Sequence, residues 1–396
     1  MFELHSFTIE NFRSFCSPQT IPFDSGSNHF ITAIFGPNAG GKSNVARALA
    51  AFVACIRNST NANWNLPYEP FLLKEGMDAH PTTLSLDFSH EGRRYSYSFS
   101  FLFDKITRET LYEESDGTGR MNVIFDRDTE GLNPYAKQHR FGSRLLKKTR
   151  EDSLLITKGR EDNNIYSNIV FDLLDHITIV SPAADSPSPI FVDLLKEDPS
   201  LREKTLKLLR DCDFSIRDIR FVETPIPEDF FDQFPIQLAP EMKRALIEGG
   251  TTAFKTVHAL RDEEKSIIGY RELDFWGQES MGTQKFFEVA VPIIDALENG
   301  KTIFIDEFGS FIHPTLSRAI LSLFEKNEES RARMLLTTHD TTLLNDLDRS
   351  EIIFLEKNLA EESIVTELAS MSVRSNEAFE KRYLAGVYGA VPIIEQ

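Results

Sequence analysis

Cysteine is scarce in this chain: its 396 residues hold three, Cys16, Cys55 and Cys212. They lie far apart, and no Cys or His stands at the spacing that a zinc site uses. A disulfide scaffold is therefore excluded, and a reducing compartment fits. Long apolar runs are missing too, since none approaches the roughly 20 residues that a membrane helix needs. The opening residues MFELHSFTIE carry Glu3 and no basic segment, so no secretory signal is expected. The expectation is a soluble cytoplasmic protein with no membrane contact. Positive charge is in deficit, with 43 Lys and Arg against 61 Asp and Glu and a net charge of −18. Such a surface repels phosphates and argues against unselective coating of nucleic acid. What remains, 41% apolar and 26% charged residues without repeats or low-complexity tracts, suits one large or two ordinary cores.

The most informative stretch is residues 30–45, FITAIFGPNAGGKSNV. Residues 36–43 read G-x-x-x-x-G-K-S, the pattern of a phosphate-binding loop. An apolar run, 31–35, precedes it as a buried strand. The Ala-rich segment 43–56 follows with apolar spacing near 3.6, which predicts a helix. Strand, glycine loop and helix together turn backbone N–H groups and the positive helix end toward a phosphate. Gly36, Pro37, Asn38, Ala39, Gly40, Gly41, Lys42, Ser43 and Asn44 are thus the expected nucleotide cradle. Lys42 is expected to reach the β- and γ-phosphates of ATP, and Ser43 to hold Mg²⁺.

Around this loop the patterns predict strands at 2–10, 19–23, 83–88, 95–103 and 109–113. Residues 131–275 read differently, with charged helical patterns at 198–211 and 237–248 and a Pro/Ser-rich break at 181–190. They are expected to form an insertion, a mixed α+β arm or lid between an ATPase head built from 1–130 and 276–396. In the head's second part the patterns predict strands at 302–305, 333–337 and 351–355 and a helix at 314–326. Between Leu132 and Arg150 there is no acidic residue but there are six basic ones, Lys137, Arg140, Arg144, Lys147, Lys148 and Arg150. On a helix the first five share a stripe beside Phe141 and Leu145. That stripe reads either as a phosphate-contacting face or as a solvated helix face on an acidic protein.

Residues 302–307, TIFIDE, form an apolar strand that ends in two carboxylates. Asp306 is expected to hold Mg²⁺, and Glu307 to orient and partly deprotonate the attacking water. Upstream, Glu279-Ser280-Met281-Gly282-Thr283-Gln284 opens a helical run. Ser280, the Gly282 amide and the helix dipole suit an anionic γ-phosphate, although Ser280 also reads as an ordinary helix cap. Residues 335–340, LLTTHD, end another apolar strand in His339, which can hydrogen-bond a γ-phosphate.

These four motifs resemble those of ABC/SMC-like ATPases, the Ser280 turn resembling their signature motif and His339 their switch histidine. The match narrows with Asn11-Phe-Arg-Ser-Phe15 and with 305–314, IDEFGSFIHP, which resemble strings of the RecF/OLD-like group. The tail, 354–358 with 381–392, is similar to that of RloA/AbiL-type phage-defence ATPases. The resemblance implies a doubly wound α/β P-loop NTPase head of ABC type with the mixed insertion. It also implies a homodimer, or a higher oligomer, whose heads sandwich two ATP molecules. Each site would take Lys42, Ser43, Asp306, Glu307 and His339 from one subunit and Ser280 with Gly282 from the other. Further implied are slow ATP hydrolysis, a DNA or phage-protein trigger, and control of a nuclease-like effector. Residues 340–396 are too few for a separate nuclease domain, so that effector is expected in trans. A RecF-like repair ATPase that binds DNA is the alternative; a metabolic kinase is disfavoured by Ser280 and His339. The chain departs from the family pattern at Ala39 in the loop and at Gly309-Ser310 after the acidic pair. Its Q-loop glutamine is not placed by sequence, Gln138 being the available candidate.

Overall fold

The alternation Tyr95-Ser-Tyr-Ser-Phe-Ser-Phe101 makes one side of a strand aromatic and the other hydroxylic, and it builds the middle of an antiparallel sheet. The computed structural model describes residues 2–23, 30–114, 119–132, 143–181, 190–224, 251–310, 312–326, 331–372 and 378–391. Two units are resolved: Met1–Ala183 with Ala296–Gln396, and Ala184–Asp295.

In the first unit, a seven-stranded antiparallel sheet is ordered Gln19–Pro22, Phe2–Glu10, Thr82–His90, Arg93–Leu102, Lys105–Glu114, Met121–Asp128, Gly131–Leu132. Its register sets Leu84 opposite Phe99, Leu86 opposite Tyr97 and Phe88 opposite Tyr95, so all six face the core together. A second, six-stranded sheet is ordered Ser363–Glu367, Ile352–Lys357, Ile31–Phe35, Arg333–Thr337, Thr302–Ile305, Ile177–Val180. Its five inner and far-edge strands run parallel, and only Ser363–Glu367 is antiparallel. The parallel strands are nearly continuous apolar runs, as both faces are covered.

The helix Lys42–Asn58 packs against the antiparallel sheet. Its small residues Ala46, Ala48 and Ala51 allow close approach, while Val45, Leu49, Phe52 and Ile56 fill the space between. Phe52 meets Phe7 edge-on at 5.7 Å and stacks on Phe99 at 5.4 Å between ring centroids. Across that core sits a buried carboxylate, Glu109. It accepts bonds from the Tyr97 hydroxyl (3.0 Å), Arg127 Nε (2.8 Å) and the amides of Leu155 (2.7 Å) and Ile156 (3.0 Å). Glu109 thereby caps the helix Leu155–Glu161, whose own cap residue, Leu154, supplies no side-chain bond.

The second unit carries helices Ile190–Glu197 and Pro199–Asp211 and a three-stranded antiparallel sheet, Ile216–Thr224, Thr251–Arg261, Ile267–Asp274. Asp198 caps the second helix and Pro199 opens it. Phe191, Phe254, Phe275 and Phe287 form its aromatic core.

The mixed α/β class follows from the two sheets and the helices on them. The chain divides elsewhere than the expected 131–275. Ile177–Val180 pairs in parallel with Thr302–Ile305, and the helices Leu155–Glu161 and Ile165–Asp175 belong to the first unit. The strand Met121–Asp128 was not anticipated. The expected helix at 237–248, Gln138, and Lys137 and Arg140 of the basic stripe lie outside the described residues. Lys147 and Lys148 are exposed, whereas Arg150 pairs with Asp152 at 2.8 Å and donates to the Ser59 carbonyl.

Candidate nucleotide-binding site

The loop 36–41 leaves the strand Ile31–Phe35 and turns into the helix Lys42–Asn58 on backbone that tolerates few side chains. A Cβ on Gly36 would stand 2.0 Å from the Leu355 carbonyl oxygen, and one on Gly41 would stand 2.3 Å from Ser363 Oγ. Gly41 also takes φ of 107°, a left-handed conformation open to glycine. Ala39, at the exposed tip beside Asn38, holds φ of 61° and bends the loop as a glycine would. No side chain caps the helix's first turn, so its leading amides are left for a ligand. Ser43 sits in that turn, half-buried, and Asn44 donates to Ser14 Oγ at 2.8 Å.

The buried Lys42 ammonium donates to the carbonyls of Gly36 (2.7 Å) and Pro37 (3.0 Å) from within the loop. Burial pushes it down to about 8, against the opposing pull of Asp306 and Glu307. Those carboxylates end the strand Thr302–Ile305. Asp306 is buried, and its Oδ1 accepts from Thr337 Oγ1 at 2.6 Å. The same hydroxyl accepts from the Glu307 amide at 2.8 Å. Glu307 has φ of 56°, which costs on the order of 1–2 kcal/mol for a residue with a side chain. Next door, Phe308 N donates to the Thr337 carbonyl (2.8 Å) and Thr338 Oγ1 donates to the Phe308 carbonyl (2.7 Å). His339 follows directly. Partial burial and then the Lys42 charge hold its imidazole below the ordinary range, while Glu307 and Asp306 act the other way.

Lys42, Asp306, Glu307 and His339, far apart in sequence, thus share one electrostatic neighbourhood. Sequence reasoning missed the groups that hold them there. Ser363 Oγ donates to Ser14 Oγ (2.7 Å) and lies 2.8 Å from the Gly40 carbonyl, tying the loop to the edge strand and to the 11–15 turn. In that turn Asn11 and Arg13 have positive φ. The Asn11 amide group donates to the Met77 and His80 carbonyls, and its oxygen accepts from Phe71 N. The N-F-R-S-F string was visible, but nothing in it marked Ser14 as a partner of residue 363.

In the second unit, Ser280 Oγ accepts from the Thr283 amide at 3.1 Å and so caps the helix Met281–Asn299. Gln284 Nε2 donates to the carbonyls of Phe275, Trp276 and Glu279 at 3.0–3.1 Å and closes the turn on itself. The buried Glu279 side chain meets His258 Nε2 at 2.6 Å and also the Thr256 hydroxyl. Gly282 lies within the helix's first turn.

The donor set suits a polyphosphate with a divalent cation. It offers uncapped helix amides, an enclosed ammonium bonded only to loop carbonyls among the described residues, a buried carboxylate in Asp306 and a half-buried serine in Ser43. Among the described residues no cluster of His, Cys, Asp and Glu could hold a metal by itself. No helix among those residues is long and apolar enough to cross a membrane.

A family profile described as "AAA domain, putative AbiEii toxin, Type IV TA system" matches residues 31–345. Over 47 residues the chain is 53% identical to the chromosome partition protein Smc of Mycolicibacterium paratuberculosis, and equally so to that of Mycobacterium leprae. Those matches span 12% of this chain and only 4% of each relative. Among solved structures, the SMC head domain from Thermotoga maritima is 12% identical with a TM-score of 0.43, covering 92% of this chain and 98% of that one. The Smc head domain with an extended coiled coil bound to the C-terminal domain of ScpA, derived from Pyrococcus furiosus, is 13% identical with a TM-score of 0.47. It covers 92% and 96% of the two chains.

Proposed function

This chain belongs to the AAA-domain family described as putative AbiEii toxin of type IV TA systems, and we propose that it is a slow regulatory ATPase of a cytoplasmic antiviral, abortive-infection system. The observation that carries this reading is the convergence of Lys42, Asp306, Glu307 and His339 beside an uncapped helix start. In it, the loop amides of 36–44 cradle the phosphates of ATP and Lys42 exchanges its two carbonyl partners for phosphate oxygens. Ser43 and Asp306 hold Mg²⁺, which when bound neutralises phosphate charge. Glu307 orients the attacking water and accepts its proton, and neutral His339 donates to the γ-phosphate. Ser280 and Gly282 come from a second copy of this chain, so two heads close over two nucleotides. ATP then favours the closed dimer because it binds that state better, and hydrolysis releases it. The dimer's state, set by a phage protein or DNA, controls a nuclease-like effector in trans.

The test is protection of cells against phage by the intact operon carrying Lys42→Ala. Loss of protection at unchanged protein level is expected, and full protection would defeat the reading. The 53% identity over 47 residues with a chromosome partition protein supports a DNA-related role, and the second reading is a RecF-like DNA repair ATPase. Salt-sensitive, ATP-dependent DNA binding that is lost on charge reversal at Arg140 and Arg144 would select it.

A further inference from the structure

We infer that Thr337 is a positioning residue for hydrolysis, its hydroxyl clamping the Asp306 carboxylate and the Glu307 backbone in one geometry. The inference rests on the reading of Asp306 and Glu307 given above.

The Thr337 side chain is fully buried and its single hydroxyl is used in both directions. It donates to Asp306 Oδ1 at 2.6 Å and accepts from Glu307 N at 2.8 Å. A hydroxyl can do both at once, whereas a methyl group can do neither and an ammonium can only donate. Asp306 keeps its second oxygen for a cation, and the donated bond fixes which way that oxygen points. Glu307 sits in a left-handed conformation, φ 56°, that a side-chain-bearing residue leaves unless held. The bond to its amide is such a hold, and the Thr337 carbonyl adds another through Phe308 N. Two residues on stands His339, on the same strand end, so the strand that carries the phosphate-facing imidazole also sets the aim of the carboxylate. Movement at His339 would be transmitted to Glu307 through the Thr337 hydroxyl and through the bonds that residues 337 and 338 make to Phe308.

Thr337→Val keeps the shape and removes the hydroxyl, and Thr337→Ser keeps the hydroxyl and removes the methyl. Steady-state ATP hydrolysis is measured on the full chain, beside the affinity for a fluorescent non-hydrolysable ATP analogue and the melting temperature. For Val, kcat should fall by about tenfold or more, because a misaimed group loses the oriented attack. Analogue affinity should stay within about threefold of wild type, as the phosphate cradle is intact. Ser should recover most of kcat. A Val variant with wild-type kcat would overturn the inference, and so would a Val variant that loses kcat and analogue affinity together without rescue by Ser. Glu307→Gln serves as the control. If it hydrolyses ATP normally, the reading of Glu307 fails. If it is dead while Thr337→Val is active, only the clamp fails.

Discussion

An ammonium enclosed by backbone carbonyls, as Lys42 is, weighs against folding until an anion arrives. Its proton is held more weakly in the folded chain, at about 8, than in the unfolded chain, near the ordinary 10.5. Between those values the unfolded state binds more protons, so the wild-type fold gains stability as pH rises through the window. Below about 8 the enclosed charge weighs in full. Lys42→Met should therefore melt higher than wild type at pH 7 without nucleotide, and the gap should narrow from pH 8 to 10 in parallel thermal scans. A constant gap across that range would contradict the argument. The place of the lysine at the start of the helix was legible from the G-x-x-x-x-G-K-S spacing. Thr337, Ser14 and Ser363 were not legible. A hydroxyl inside an apolar strand reads as ordinary β-propensity until the partner carboxylate, 31 residues earlier in the Thr337 case, is folded against it.

Elements were easiest to read where one face is buried. The Tyr/Phe–Ser alternation of Arg93–Leu102 and the Ala-rich Lys42–Asn58 needed no tertiary information. Glu109 did need it, since a glutamate in a strand predicts solvent, yet this one anchors Arg127, Tyr97 and two helix amides in the core. Glu109→Ala should cost about 3–5 kcal/mol in a urea titration, because it strands the Arg127 charge and uncaps the helix Leu155–Glu161. Glu109→Leu combined with Arg127→Met should recover part of that loss. A Glu109→Ala midpoint equal to wild type would show that the cluster contributes nothing.

At the scale of the whole molecule, the Pro/Ser-rich run in the sequence lies where the chain passes from the first unit to the second. The sequence places the run 181–190 inside an expected insertion at 131–275, and the second unit spans Ala184–Asp295. Within the span 131–275, expected as an insertion from its charged helical patterns and Pro/Ser-rich break, Ile177–Val180 pairs as the edge strand of the six-stranded sheet. Strand pairing decides such membership, and pairing partners in a parallel sheet are remote in sequence. The return strands were legible because each is a short, buried apolar run.

The central claim is that ATP joins two heads and that Glu307 ends the joined state. The most direct measurement is the solution mass of Glu307→Gln, by light scattering after gel filtration, with and without ATP and Mg²⁺. The account predicts that ATP drives the variant into a larger assembly in which hydrolysis is absent. A mass that ignores ATP, whether monomeric or already oligomeric, would contradict it.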